Sequence, residues 1–344
     1  MITIPEQLES ILDRAWEGKA PTREEMTYLL KFPEGSYEAF LTRNVANQIT
    51  RRRANNKAFL CAQIGYSTSP CSGDCLFCGF AASHTSFPKT ELSMDEIIRR
   101  SQDLTRDGML DNLWLMAMHR FDFGHFLDIV SQVRKVIPEH VILSSNVGDL
   151  TKSQVDELKA AGLKGAYHSL RLREGIDTKL DPKKRIETIQ YIQEAGLQWG
   201  FCCEPIGPEH TPEELTDHMI WGMSRNPHTF SVMRRINLPN GPLSHRGQIS
   251  LLRLAQIVGA AVLLTVPSKE ILSVGGHEPN LLCLTSGANN ACAESGANPR
   301  DDAIETTKNI GLTTSGCLQL FREAGFDGVL RGDHVPVMFQ NLKQ

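Results

Sequence analysis

The chain has no apolar run long enough to cross a bilayer. The longest, IVGAAVLLTV at 257–266, falls far short of a membrane span. It also has no long basic run. The formal net charge is −4, and Arg51-Arg52-Arg53 stands at an expected helix end, where positive charge suits the helix dipole. No electrostatic footprint for nucleic acid is therefore expected. The N-terminal stretch MITIPEQLESILDRAWEG lacks the basic start and apolar core of a targeting segment. No repeat, Pro/Ser-rich tract or charge block divides the chain, and no GxGxxG follows its first strand. These absences predict a cytoplasmic protein with neither nucleic acid nor membrane as partner.

What is present reads as an ordinary globular chain. Its 344 residues, 41% hydrophobic and 22% charged, are ample for a real core. Its cysteine count, nine, is odd. In a reducing compartment, cysteines of that kind do not make a disulfide framework, and clustered ones point to metal binding or catalysis.

Hydrophobic periodicity divides the chain in two. Residues 1–55 read as helices at Glu6 to Trp16, Glu24 to Lys31 and Ser36 to Arg53, an N-terminal extension. From 56 to 344 the pattern alternates. Strands are expected at 58–67, 112–119, 141–146, 165–172, 198–203, 230–236, 270–275 and 289–294. Helices follow them at 93–107, 125–137, 152–161, 183–195, 212–223, 249–262, 279–285 and 314–324. Ser93 with Glu96, Thr151 with Gln154, and Thr211 with Glu214 have the spacing of capping boxes. Eight strands alternating with helices predict an α/β fold of the TIM type, a closed (β/α)8 barrel. In such barrels the chemistry sits at the C-terminal ends of the strands.

One loop at that end stands out. YSTSPCSGDCLFCGFAASH, directly after the first strand, carries Cys71, Cys75 and Cys78. A structural zinc site closes with four ligands. Here only His84 is at hand as a fourth, so a zinc-binding barrel is one reading. Three thiolates can instead hold three irons of a [4Fe-4S] cube and leave the fourth iron open.

CxxxCxxC with an aromatic before the last Cys resembles the hallmark of the radical SAM superfamily. Further stretches, VMRRINLPNGPL at 232–243, LLRLAQIVGAAVLLTVPSKEILSVGG and LLCLTSGANNAC, resemble the branch of biotin synthase, methylornithine synthase and the HydE maturase. The resemblance implies that Cys71, Cys75 and Cys78 ligate a [4Fe-4S] cluster and that S-adenosylmethionine (SAM) binds beside it. It implies SAM contacts from Phe77, Gly79, Ser144, Ser145, Asn146, Arg173, Glu174 and Ile206. It implies a small-molecule substrate and an electron donor such as flavodoxin or ferredoxin. The Gly-Gly-Glu that often ends the second strand is replaced by Met116 to Met118.

Biotin synthase itself is a poor match. It holds a second cluster on three strands' cysteines and an Arg. Here the third strand offers Ser144 and Ser145, and the seventh Ile271 or Leu272, leaving Cys202 and Cys203. The expected activity is hydrogen abstraction from a small molecule in cofactor or unusual amino-acid biosynthesis, including a maturase of the HmdB type tied to [Fe]-hydrogenase. A sulfur-inserting enzyme of lipoyl or biotin type is the alternative. Cys202, Cys203 and Cys292, together with His119, Arg120, Arg234, Arg235, Glu204, Glu294, Arg300 and Asp301, are rim candidates. Strand alternation is expected to turn only one of Arg234 and Arg235 inward.

Overall fold

The computed structural model describes residues 4–341 except Ser69, Asn240 and Asp302. Three helices come first: α1 (Glu6–Trp16), α2 (Arg23–Lys31) and α3 (Tyr37–Arg53). Eight parallel strands follow: β1 (Lys57–Gly65), β2 (Asn112–Met116), β3 (Ile142–Asn146), β4 (Gly165–Tyr167), β5 (Gln198–Ile206), β6 (Thr229–Arg234), β7 (Ser273–His277) and β8 (Asn290–Gly296). Each pairs with the next. β8 then pairs back onto β1, with Cys61 opposite Cys292, and the sheet closes into a (β/α)8 barrel.

The outer helices are α4 (Met94–Thr105), α5 (Phe123–Val136), α6 (Lys152–Ala160), α7 (Pro182–Glu194), α8 (Pro212–Met223), α9 (Leu251–Thr265), α10 (Leu281–Leu284) and α11 (Thr314–Glu323). Thr151 and Thr211 form full capping boxes with Gln154 and Glu214. Ser93 forms half of one: it accepts from Glu96 N, while the Glu96 carboxylate goes to Arg99 and Arg100. Replacing Thr211 by Ala should cost about 1 kcal/mol, read as a lower urea midpoint.

The all-apolar run of α9 has a structural cause. Every residue from Leu254 to Thr265 is buried. The barrel covers one side, and α2 and α3 cover the other. Gly259 lets α3 come close, since a Cβ there would lie 3.3 Å from Arg43 Cα. Gln256, buried at the start of the run, donates to Leu29 O and Phe32 O. Among the described residues no helix is long and apolar enough to cross a membrane.

Strand bounds differ from expectation where side chains compete for the backbone. β7 begins three residues late because Ser268 Oγ takes Glu270 N and Ile271 N in a turn, and Arg53 caps Ile271 O at 2.7 Å. β4 stops at Tyr167 rather than Leu172. The next carbonyls accept from side chains instead: His168 O from Trp199 Nε1, Ser169 O from Arg185, and Leu170 O from His218. A C-terminal hairpin, β9 (Gly328–Leu330) with β10 (Pro336–Met338), was not legible in the sequence; β9 adds to the start of β1.

Candidate active site at the barrel mouth

A barrel core is ordinarily filled by Val, Ile and Leu. Here the inward positions are largely polar. Gln63 and Trp114, Asn146 and Tyr167, Ser231 and His277, and Asn290 and Glu294 all line one cavity of about 210 Å³. A wall of this kind is built to hold a ligand, because buried polar groups otherwise go unpaired at a cost.

The cysteine loop forms one side of that cavity. Cys71, Cys75, Phe77 and Cys78 all line it, and none of the cysteines is in a disulfide. The loop is closed on itself by Cys71 N to Phe80 O at 2.7 Å and Ala82 N to Cys71 O at 3.0 Å. Phe80, Phe87, Met116, Met118 and Ala297 back it as a small separate apolar cluster. It is also tied to two other mouth loops. Lys179 Nζ reaches Asp74 at 2.6 Å, and Gly79 N donates to Pro299 O at 2.8 Å. Burial pushes the Cys75 thiol up to about 11 and the Cys78 thiol up to about 12, while Arg171 pulls both down.

These donors suit an iron–sulfur cube, which takes one thiolate on each of three irons. A zinc ion needs ligands converging within about 2.3 Å of one point. Among the described residues no group of three His, Cys, Asp or Glu converges on one ion. His84 is engaged elsewhere: Nε2 meets Cys78 O and Nδ1 meets Ser83 Oγ, both at 3.0 Å. A cube presents a separate iron to each thiol, so the thiols can stand apart.

Charged groups ring the rest of the mouth. Five arginines line the cavity: Arg171, Arg185, Arg234, Arg235 and Arg300. Each has a carboxylate partner. Arg171 Nε lies 3.3 Å from Glu204, Arg185 Nη1 3.1 Å from Asp149, Arg234 Nη2 2.6 Å from Glu278, and Arg300 Nη2 2.7 Å from Glu294; Arg235 pairs with Glu209. Arg171, with Glu204, Glu174 and Cys75 around it, has its pKa raised despite burial, so it stays a cation.

The expected SAM residues are distributed unevenly. Phe77 and Asn146 line the cavity, with Asn146 Nδ2 donating to Gln63 Oε1 at 2.8 Å. Gly79 packs behind Phe77 against the Pro299 and Asp301 carbonyls. Ser144 faces inward but lies lower, beside Gly165, and its buried Oγ has no partner. Ser145 is buried on the opposite face of β3, and Ile206 is buried at the end of β5 beside Pro205, which does line the cavity.

Arg173 lies away from the cavity wall, bonded to Glu214 at 3.1 Å. Its φ of +56° turns the chain outward. Glu174 is buried behind the wall, accepting from Thr178 Oγ1 at 2.7 Å and Arg171 N at 3.0 Å. The arginine at the wall is Arg171, two residues earlier. Strand alternation alone made Arg171 and Arg173 equivalent; the turn between them separates them.

Arg234 and Arg235 both line the cavity, contrary to strict alternation, because β6 ends at Arg234. Cys202 shares the inner face of β5, opposite Ser231, while Cys203 points outward into the main core. Of the three rim cysteines only Cys292 lines the cavity.

Three buried histidines give the fold a pH dependence. Burial lowers His168 to about 3, His218 to about 4 and His277 to about 3. The unfolded chain binds protons at these sites below about 6.5, while the folded chain does not. Stability therefore falls as pH drops from about 6.5 toward 4, by about 1.4 kcal/mol per unit for each group. Burial raises Asp111 to about 7, which acts oppositely but counts once against three. Urea midpoints measured between pH 7 and 4.5 should fall steadily.

Comparison with known proteins is consistent with this geometry. Residues 66–221 match the family model of the radical SAM superfamily. The chain is 24% identical over 289 residues to a biotin synthase of Sulfurihydrogenibium sp., covering 80% of this chain and 84% of that one. It is 26% identical over 286 residues to the biotin synthase of Allorhizobium ampelinum, covering 78% and 84%. Among solved structures it superposes on methylornithine synthase (PylB) with a TM-score of 0.77 at 15% identity, over 92% of this chain and 96% of that one. It superposes on the FeFe-hydrogenase maturase HydG from Carboxydothermus hydrogenoformans with a TM-score of 0.75 at 17% identity, over 94% and 79%. These two likenesses are likenesses of fold.

Proposed function

We propose that the chain is a radical SAM enzyme, similar to the branch of biotin synthase, HydE and PylB, that abstracts hydrogen from a small molecule held in the barrel, in cofactor or unusual amino-acid biosynthesis. The observation that carries this reading is the placement of three unpaired thiols, Cys71, Cys75 and Cys78, on the wall of the same cavity as Arg171, Asn146 and Glu204. The three cysteines would hold a [4Fe-4S] cluster. What the bound group supplies is one-electron cleavage of SAM to methionine and a 5′-deoxyadenosyl radical.

The chain's own residues bind, orient and enclose. Arg171, a fixed cation beside Cys75, suits the SAM carboxylate, which its planar fork can take through two oxygens. Phe77 offers a flat face on the same wall, and Asn146 an amide held by Gln63. Gly79, Ser145, Glu174 and Ile206 support that wall from behind, Ser144 faces inward below it, and Arg173 holds the loop after β4 to Glu214. The closed barrel and its tied loops exclude water, which a reactive radical requires. An electron donor such as flavodoxin or ferredoxin and a cytoplasmic location complete the reading.

Within this class stand a maturase of the HmdB type and sulfur insertion. Sulfur insertion needs thiols around a second cluster, and Cys292 alone of the three rim cysteines reaches the cavity, so hydrogen abstraction is favoured. The test is product analysis. Protein reconstituted anaerobically with iron and sulfide, given SAM and dithionite, should yield methionine and 5′-deoxyadenosine in equal amounts, and none without reductant. No cleavage by protein carrying a full complement of iron would contradict the reading.

A further inference from the structure

Four charged groups that line the cavity keep hydrogen-bonding capacity: Arg234 and Arg235 only at Nε, both their Nη arms being engaged, and Glu204 and Arg300 at a terminal atom. The Glu204 side chain is only 3% exposed and lines the cavity, yet its Oε1 accepts no hydrogen bond. Arg171 Nε lies 3.3 Å away, close enough to pair by charge but not aligned to donate. The Arg300 side chain also lines the cavity. One arm, Nη2, is fixed to Glu294 at 2.7 Å, while the other, Nη1, is buried without a partner. Asn298 holds the arrangement, donating to Glu294 Oε2 at 2.6 Å and accepting from Arg300 N at 2.9 Å. The same loop is pinned to the cysteine loop through Pro299 O, so Arg300 is held near the thiols' side of the mouth.

The charge balance narrows the ligand. All five cavity arginines already have carboxylate partners. With each of these arginines matched by a carboxylate, the wall has little net charge to offer a phosphate and favours a ligand without net charge. A lone carboxylate would leave Glu204 unmet, and a lone amine would leave Arg300 Nη1 unmet. Each unmet buried group costs binding. A ligand carrying one positive and one negative group meets both.

We propose that the substrate is a zwitterionic amino acid, with its ammonium on Glu204 and its carboxylate on Arg300. This rests on the radical SAM reading above and assigns the substrate class of that site. Glu294 and Asn298 are positioning residues, since they act by aiming the Arg300 guanidinium.

The test is binding without turnover. Cluster-loaded protein with SAM and no reductant is titrated calorimetrically with each proteinogenic amino acid. Any that binds is compared with its decarboxylated amine and its desamino acid. Both truncated forms should bind about 10-fold or more weakly. In Arg300→Gln the amino acid and its amine should bind alike. In Glu204→Gln the amino acid and its desamino acid should bind alike. Both variants should remain folded by circular dichroism at the titration temperature, and Arg300→Gln should keep the parent's SAM affinity.

Three results are distinguishable failures. If SAM binds but no amino acid does, the substrate class is overturned and the radical SAM reading stands. If Arg300→Gln loses SAM affinity, Arg300 belongs to the cofactor and the assignment is overturned. If the parent protein itself fails to bind SAM, the underlying reading falls, and the inference with it.

Discussion

Replacing Cys75 by Ala should leave a folded protein that cannot hold its iron. Reconstituted anaerobically, the parent should carry about four irons and four sulfides per chain, and the variant close to none. SAM cleavage should fall to background, a loss larger than that from any other single substitution considered. Cys75 is the sharpest choice of the three. It is buried in the loop, whereas Cys71 and Cys78 are partly exposed. Its thiol contributes little to packing, its nearest polar contact being a weak one to Gly73 O at 3.8 Å. Removing one sulfur therefore costs about 1 kcal/mol of burial, and loss of iron can be separated from loss of fold by circular dichroism. Chemical analysis of the parent also decides the zinc alternative: one zinc and no sulfide would replace the expected iron.

The second large effect lies on the cavity wall itself. Arg185→Met should destabilise the protein by about 3–5 kcal/mol, the range for stranding buried charges, seen as a lower urea midpoint at pH 7. The Arg185 side chain is 4% exposed. It donates to Ser169 O through Nε and Nη2, at 3.2 and 3.1 Å, and to Asp149 through Nη1 at 3.1 Å. Glu174 lies 3.7 Å from Nε. Methionine fills much of the volume but leaves Asp149 and Glu174 without this cation.

Asp149 supplies a check on that cause. Burial opposes its ionisation, yet His168 and Arg185 hold it well below the usual carboxylate range. Its contribution is present above about pH 4 and is lost as pH falls through the folded value. The gap between parent and variant should therefore narrow on acidification. A gap that does not depend on pH would assign the loss to packing alone.

The two levels of structure differ in how much the sequence revealed. The barrel was legible because each helix carries a local start signal, such as Thr151 or Thr211, and each strand a short apolar run. The run 257–266 was legible as apolar but not as a helix covered on both sides, since the covering α3 lies two hundred residues away. The cysteine loop was legible because its ligands sit within eight residues of one another. The rest of the mouth depends on turns. Arg171 and Arg173 have the same parity and differ only in the backbone between them. Ser144, Ser145 and Asn146 were grouped by adjacency, yet pleating buries Ser145 on the far face and depth separates Ser144 from Asn146. Glu204 and Arg300 were visible as rim candidates, but their unpaired atoms and common cavity belong to the three-dimensional arrangement.

The most direct test of the central claim is spectroscopic. Protein reconstituted with iron and sulfide is reduced with dithionite, and its electron paramagnetic resonance spectrum is recorded with and without SAM. The account predicts a [4Fe-4S]+ signal whose g-values shift when SAM is added, because the open iron left by Cys71, Cys75 and Cys78 takes the ligand. A cluster signal indifferent to SAM, or no cluster in protein that is otherwise folded, would contradict it.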